Sequence, residues 1–268
     1  MRDPDEGLNR HCSVAALRAA VLALTLAGAA AAEAAELIEV PTRPGITLRA
    51  SLLAPAQPRA MVILFAGGNG GVSFAADGEP ASFKGNFLIR SRQLFVQRGL
   101  AVVIVGLPSD IGPPEYMTDA FRTSTEHADD MRALVAAVRR RFNVPVWLIG
   151  TSRGTLSAAS VGLALGAAAA GGSDGVVLSS GMTSVADLAI DRFQVPVLIV
   201  HHSRDTCRAT DYRDLRRVTA KLAAPRKEVL TFDGGRSTGP ACEAFSYHGF
   251  NGIEAEVVEA LVRWISPP

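Results

Sequence analysis

Residues 144–154 read VPVWLIGTSRG and place a serine between two glycines at the end of an apolar run. The run predicts a buried strand, and the alanine- and leucine-rich sequence after it predicts a helix. Glycines at positions 150 and 154 allow the backbone to reverse sharply where the strand and the helix pass close together. Ser152 is therefore predicted to stand on a tight strand-to-helix turn, next to the free N–H groups at the helix start. A plain structural turn is the alternative, because small residues suit any sharp reversal.

The rest of the chain alternates apolar runs with helical patterns. Strands are predicted near residues 37–40, 47–54, 61–65, 101–105, 146–149, 175–178, 195–200 and 228–232. Helices are predicted near residues 87–98, 126–142, 156–170, 211–222 and 253–265. Fully apolar strands separated by helices indicate an α/β fold, in which a mostly parallel sheet of about eight strands has helices on both faces. We expect one such domain over residues 36–268.

Two further polar residues follow predicted strands in the last third of the chain. Asp205 comes after the seventh predicted strand, and His248 lies in the loop before the last helix. Loops at the carboxyl ends of parallel strands form binding sites. In the chain order Ser152, Asp205, His248, the histidine would take the serine proton and the aspartate would orient the histidine. Asp187 and Asp211 are alternative acids, and an ordinary loop residue is the alternative for His248, the only histidine after Asp205.

This order of residues resembles the α/β-hydrolase superfamily, and the resemblance covers residues 37–265. It implies an α/β-hydrolase-type sheet and a serine esterase-like enzyme. Only residues 179–194 separate two strands where many relatives insert a lid, so no large cap domain is expected. The resemblance also implies cleavage of small-molecule carboxylic esters through an acyl-enzyme, without a cofactor. Acyl transfer, peptidase activity and a non-catalytic binding module are the alternatives.

A glycine-rich loop, FAGGNGG at residues 65–71, follows the third predicted strand. In the resembled family, one backbone N–H of this loop and the N–H after the nucleophile form the oxyanion hole. This implies Arg153 as one donor and either Gly68 or Asn69 as the other. A phosphate-binding loop is disfavoured because no Gly-Lys-Ser or Gly-Lys-Thr ending follows the glycines.

The remaining wall of the site is expected from residues 72–84 and 107–125. Candidate substrate contacts are Tyr116, Met117 and Phe121, although packing of a surface loop would also account for each of them. Arg153 is expected either to pair with an acid or to attract an anionic substrate.

The first 35 residues differ in composition from the rest. Charged residues up to Arg18 precede an uncharged stretch, residues 19–32, that is rich in alanine. This pattern is typical of a secretory signal peptide, so we predict one over residues 1–35 with cleavage near residues 32–35. The stretch is shorter than the roughly 20 apolar residues that cross a bilayer. The mature chain is therefore predicted to be periplasmic or secreted, without a membrane span.

Loss of the leader would remove Cys12 and leave Cys207 and Cys242 in the mature chain. In an oxidising compartment an even pair predicts one disulfide. Two unrelated buried thiols are the alternative.

Other classes of partner find little support in the sequence. A net charge of +1 and the absence of a basic run argue against nucleic acid. The adjacent histidines His201 and His202 invite a metal hypothesis, but successive strand side chains point to opposite faces. No other cluster has the spacing of metal ligands, so no metal is predicted.

Overall fold

The computed structural model describes residues 34–113 and 115–266. The predicted signal peptide, residues 1–35, falls almost entirely outside the described residues, and Cys12 lies outside them too. Within the described ranges, no helix is both long enough and apolar enough to span a membrane.

The sheet contains the strands β1 (Glu36–Arg43), β2 (Ile46–Leu53), β3 (Ala60–Phe65), β4 (Leu100–Pro108), β5 (Val146–Thr151), β6 (Gly175–Ser179), β7 (Val197–His202) and β8 (Lys227–Phe232). Their order across the eight-stranded sheet is β1-β2-β4-β3-β5-β6-β7-β8. The pairs β1–β2 and β2–β4 are antiparallel, and the other neighbouring pairs are parallel. The prediction of a mostly parallel sheet is confirmed.

The helices are α1 (Phe87–Arg90), α2 (Arg92–Val96), α3 (Asp119–Arg122), α4 (Thr125–Phe142), α5 (Gly154–Leu165), α6 (Leu215–Lys221) and α7 (Glu254–Ile265). They cover both faces because the inner strands are apolar on both sides. In β3, Ile63 belongs to an apolar cluster with residues of α4 and α5, while Val62 belongs to a second cluster with residues of α7. Successive strand side chains point to opposite faces, so each cluster is the core of one face. The predicted helical cover on both faces is confirmed.

Several helices differ from the sequence prediction, among them the predicted helix over residues 211–222, which is divided into the 3₁₀ helix Tyr212–Asp214 and α6. The predicted helix over residues 87–98 is divided into α1 and α2 at Ser91. The predicted helix over residues 156–170 ends at Leu165, because Gly166 adopts a φ of 67° that favours glycine. The four residues of α3 were not predicted, since they are too few to show a helical period.

Candidate active site

Ser152 stands on the turn between β5 and α5, and its backbone has a φ of 53°. This left-handed conformation costs about 1–2 kcal/mol for a residue other than glycine. A Cβ atom on Gly154 would collide with the carbonyl oxygen of Phe65, and one on Gly150 would collide with the backbone of Gly154. The strand and the helix therefore approach as closely as the glycine spacing indicates, and the turn presents Ser152 in a strained, partly exposed position.

Asp205 and His248 meet through a hydrogen bond of 2.9 Å between Asp205 Oδ2 and His248 Nδ1. Both side chains are buried. The Thr210 hydroxyl donates to the same carboxylate oxygen at 3.0 Å, and the backbone N–H of Cys207 donates to Asp205 Oδ1 at 2.9 Å. Because Nδ1 of the imidazole is engaged, Nε2 is the ring nitrogen left to exchange a proton with a reacting group.

The neighbours of Asp205 keep it ionised. Burial alone would raise the pKa of its carboxyl group, but hydrogen bonds from His201 and His248 outweigh burial and hold the pKa below its ordinary value. His201 Nε2 lies 3.3 Å from Asp205 Oδ2. Asp187 and Asp211, the alternative acids, bind arginine side chains instead. Asp205 is therefore the charged carboxylate beside His248.

A cleft of about 410 Å³ contains both Ser152 and His248. The glycine-rich loop and part of residues 83–87 form its first wall, and residues 242–245 form much of its second wall. A depression of about 640 Å³ beside α5 is larger, but none of the predicted catalytic residues lines it. The structure thus brings the predicted nucleophile and base to one cleft and places the predicted acid behind the base.

The glycine-rich loop lies directly against the serine. A Cβ atom on Gly67 would lie 2.9 Å from Ser152 Cβ. Gly68 lines the cleft, whereas Asn69 does not. The Asn69 side chain accepts a hydrogen bond from the Gly71 N–H at 3.0 Å, which turns it back onto its own loop. Of the two residues predicted to supply the backbone donor, Gly68 is the one that lines the cleft.

The Arg153 side chain is engaged by neighbours outside the cleft. Its guanidinium lies 3.1 Å from the carboxylate of Asp119 and donates a hydrogen bond to the Tyr116 hydroxyl. Of the two predicted roles, the structure shows the pairing with an acid. Arg153 is also the residue that precedes the first residue of α5, so its backbone N–H belongs to the helix start.

The three predicted substrate contacts do not line the cleft. Tyr116 is bound to Arg153 as described. Met117 is buried, and its sulfur lies 3.9 Å from the hydroxyl of Ser157 in α5. The Phe121 ring packs on His127 with a centroid distance of 5.4 Å. This segment packs on α5 and α4, and none of the three side chains lines the cleft that contains Ser152.

Arg122 is a feature of the site that the sequence analysis missed. It is the largest fully buried side chain among the described residues. Its guanidinium donates to the Ser157 hydroxyl at 3.1 Å and to the carbonyl oxygen of Gly68 at 3.3 Å. Burial lowers its pKa to about 10, so it stays protonated at neutral pH. Within the described part of the chain it forms no ion pair, and no local sequence signal marks a buried cation behind the glycine-rich loop.

A disulfide joins Cys207 and Cys242, so the alternative of two unrelated thiols is excluded. Cys207 is buried two residues after Asp205, and Cys242 lines the cleft on the side of His248. The bond therefore fastens the loop of the acid to the loop of the histidine.

The side chains of the adjacent histidines His201 and His202 contact different parts of the structure. His201 Nε2 lies 2.6 Å from the carbonyl oxygen of Thr210. His202 Nε2 lies 3.0 Å from the carbonyl oxygen of Gly234, and its ring stacks on Tyr247 at 4.6 Å. Among the residues that the structure describes, no group of three or more His, Cys, Asp or Glu side chains is arranged to hold a metal ion.

No family model matches the sequence, and no curated protein matches it. Solved structures do. A lidless α/β serine hydrolase from Xanthomonas campestris is 16% identical, with a TM-score of 0.58 over 88% of this chain and 96% of that one. Dienelactone hydrolase from Anabaena variabilis is 14% identical, with a TM-score of 0.59 over 86% and 95%. A cold-adapted esterase from an Arctic intertidal metagenomic library is 17% identical, with a TM-score of 0.56 over 85% and 92%. Similarity at such low identity shows a shared architecture, and this protein has the α/β-hydrolase fold.

Proposed function

We propose that the protein is a serine hydrolase that cleaves carboxylic esters. Ser152 is the nucleophile, His248 is the general base and acid, and Asp205 orients the imidazole. The hydrogen bond between Asp205 and His248, behind the cleft that contains Ser152, is the observation that carries the proposal.

The reaction follows from these positions. His248 Nε2 takes the hydroxyl proton of Ser152 as the serine oxygen attacks the ester carbonyl. The backbone N–H groups of Arg153 and Gly68 bind the oxyanion of the tetrahedral intermediate. When the intermediate collapses, the bond to the alcohol oxygen breaks and His248 returns the proton to that oxygen. A water molecule, activated by His248 in turn, then releases the carboxylic acid from Ser152.

Two observations support esters as the bond type. The cleft has no inserted lid, since residues 179–194 between β6 and β7 form only two short 3₁₀ helices, Thr183–Asp187 and Ile190–Arg192. The structurally similar proteins include esterases and a lidless serine hydrolase. An open cleft accepts accessible small-molecule esters.

Export is part of the proposal. The leader-like composition of residues 1–35 and the Cys207–Cys242 disulfide both fit an oxidising compartment. We propose a periplasmic or secreted enzyme whose mature chain begins near residue 36.

Labelling with a fluorophosphonate, which reacts with activated serines, tests the proposed nucleophile. We expect peptide mapping to place the label on Ser152, and we expect Ser152→Ala to lose both labelling and turnover of p-nitrophenyl acetate. Ser160→Ala changes a serine of α5 that does not line the cleft and should retain both. Folded wild-type protein that takes no label at Ser152 would contradict a serine hydrolase.

Removing the disulfide should weaken both stability and catalysis. The bond closes a sequence separation of 35 residues, so the double variant Cys207→Ser, Cys242→Ser should unfold with a free energy lower by about 3–4 kcal/mol. Turnover should fall as well, because the Cys207 N–H that orients Asp205 loses its anchor.

Urea unfolding and ester hydrolysis measure the two effects. Dithiothreitol should lower the turnover of the wild type, whose Cys242 is exposed, and should leave the double variant unchanged. If mass analysis shows reduced thiols while turnover and stability equal those of the oxidised protein, the disulfide has no such role.

A further inference from the structure

Aromatic side chains form part of both walls of the cleft. Phe83 lines it beside the glycine-rich loop, and Phe245 lines it on the side of His248. A Cβ atom on Gly68 would lie 3.4 Å from the Phe83 ring, so this ring packs directly on the loop. Phe245 is 50% exposed, and among the described residues Val229, at 42%, is the other large hydrophobic side chain with such exposure.

The Phe245 ring is held in place although half of it is exposed. Gly85 leaves room for it, since a Cβ atom there would lie 3.2 Å from the ring. The backbone carbonyl of Phe245 accepts hydrogen bonds of 2.8 Å from the Thr238 N–H and from the Asn251 side chain. The Arg90 guanidinium lies 5.3 Å from the ring centroid. The exposed ring surface is therefore ordered before any ligand binds, which lowers the entropic cost of binding.

Arg90 also joins the two walls of the cleft. Its guanidinium donates to the carbonyl oxygen of Gly85 on the first wall and, at 2.6 Å, to that of Gly249 on the second wall. Glu254 pairs with the same guanidinium at 2.9 Å. This partly buried bridge ties Gly85 on the first wall to Gly249 on the second wall.

Phe83 adopts a strained backbone conformation, with a φ of 57°. Strain of this kind persists where the surrounding structure enforces it, and it is concentrated at functional sites. At this position the strain accompanies a ring that lines the cleft next to Gly68.

The charged side chains near the cleft bear on whether it accepts a charged or an uncharged substrate. Among the described residues that line it, Glu243 carries the only formal charge. Arg153, the nearest cation to Ser152 in the sequence, is engaged by Asp119 and Tyr116. The one formally charged side chain that lines the cleft is thus an acid, which repels an anionic substrate.

We propose that Phe83 and Phe245 form an aromatic slot that selects uncharged esters carrying a flat aromatic group, an inference that rests on the proposed ester hydrolysis. The rings of the slot stack on, or meet edge to face, the aromatic group of the substrate. Stacking requires a planar π-system, so a saturated ring of similar size gains less from the two phenyl rings.

Matched pairs of esters test the aromatic slot without changing the leaving-group class. Benzyl acetate is compared with cyclohexylmethyl acetate, and methyl phenylacetate with methyl cyclohexylacetate, by titration of the released acid. We expect kcat/KM to favour the aromatic member of at least one pair by about 3- to 10-fold. The pair that shows the preference identifies whether the alcohol or the acyl group occupies the slot. The anion 4-(acetoxymethyl)benzoate should react more slowly than benzyl acetate.

Variants assign the preference to the two rings. Phe245→Leu and Phe83→Leu keep an apolar side chain but remove the ring, so each should bring the ratio for the discriminating pair toward one. Val229→Ala changes the other exposed hydrophobic residue, on β8, and should leave the ratio unchanged.

The outcomes separate the two proposals. Turnover of all these esters at similar kcat/KM, or a preference that survives in Phe245→Leu and Phe83→Leu, would overturn the aromatic slot and leave the ester hydrolase intact. An absence of turnover with every ester, together with an unlabelled Ser152, would overturn the ester hydrolase and with it the slot.

Discussion

Asp205→Asn is expected to lower kcat for ester hydrolysis about 10⁴-fold while the protein stays folded. The amide is close in shape to the carboxylate, and its single oxygen, placed at the Oδ1 position, can still accept the hydrogen bond from the Cys207 N–H. It carries no charge, however, so it cannot stabilise the imidazolium that forms when His248 takes the serine proton. An amide N–H turned toward His248 Nδ1 would also favour the tautomer that leaves Nε2 protonated and unable to act as a base. Steady-state kinetics with p-nitrophenyl acetate measure the effect.

Asp211→Asn is the matched control for this variant. Asp211 stands six residues further along the same segment and binds Arg213 instead of the histidine. Its substitution should leave kcat within about twofold of the wild-type value, because its side chain does not line the cleft and asparagine caps a helix start as well as aspartate does. If kcat falls for Asp211→Asn while Asp205→Asn is nearly as active as the wild type, then Asp205 is not the residue that orients His248.

Arg122→Met is expected to lower kcat by about 10- to 100-fold with little change in KM. Loss of a whole oxyanion donor costs about 10²- to 10³-fold, and Arg122 acts one step behind such a donor. Its guanidinium donates to the Gly68 carbonyl, so its positive charge lies next to the loop that we propose binds the oxyanion. The stability of the variant should equal or exceed that of the wild type, because a buried cation without a paired carboxylate is replaced by an apolar chain of similar length.

Inhibition by a boronic acid distinguishes positioning from a general structural role. The tetrahedral boronate on Ser152 resembles the charged intermediate, so its inhibition constant should rise by about the same factor as kcat/KM falls. Arg49→Met, which removes an exposed arginine paired with Glu39, should change neither quantity. A wild-type kcat in Arg122→Met, or a kcat loss that only parallels a loss of stability, would rule out this positioning role.

The fold was predictable because its signals are local in the sequence. A buried strand such as β5 is visible in the sequence as a continuous apolar run. The glycines on either side of Ser152 are required because the backbones at positions 150 and 154 lie too close together for side chains. The chain order of Ser152, Asp205 and His248 could be read in the same way, since each follows a predicted strand or precedes a predicted helix. These local signals do not show which segments far apart in the chain come into contact.

The remaining features of the site depend on contacts between segments that are far apart in the chain. Arg122 meets Gly68 across 54 residues, and Arg90 meets Gly249 across 159 residues, so no local pattern could reveal either contact. The position of Tyr116, Met117 and Phe121 outside the cleft could not be predicted for the same reason, because the packing of their segment on α4 and α5 depends on the assembled core. Local sequence therefore specified the strands, the serine turn and the types of reactive groups, whereas burial and long-range hydrogen bonds specified which charges are paired and which side chains face the cleft.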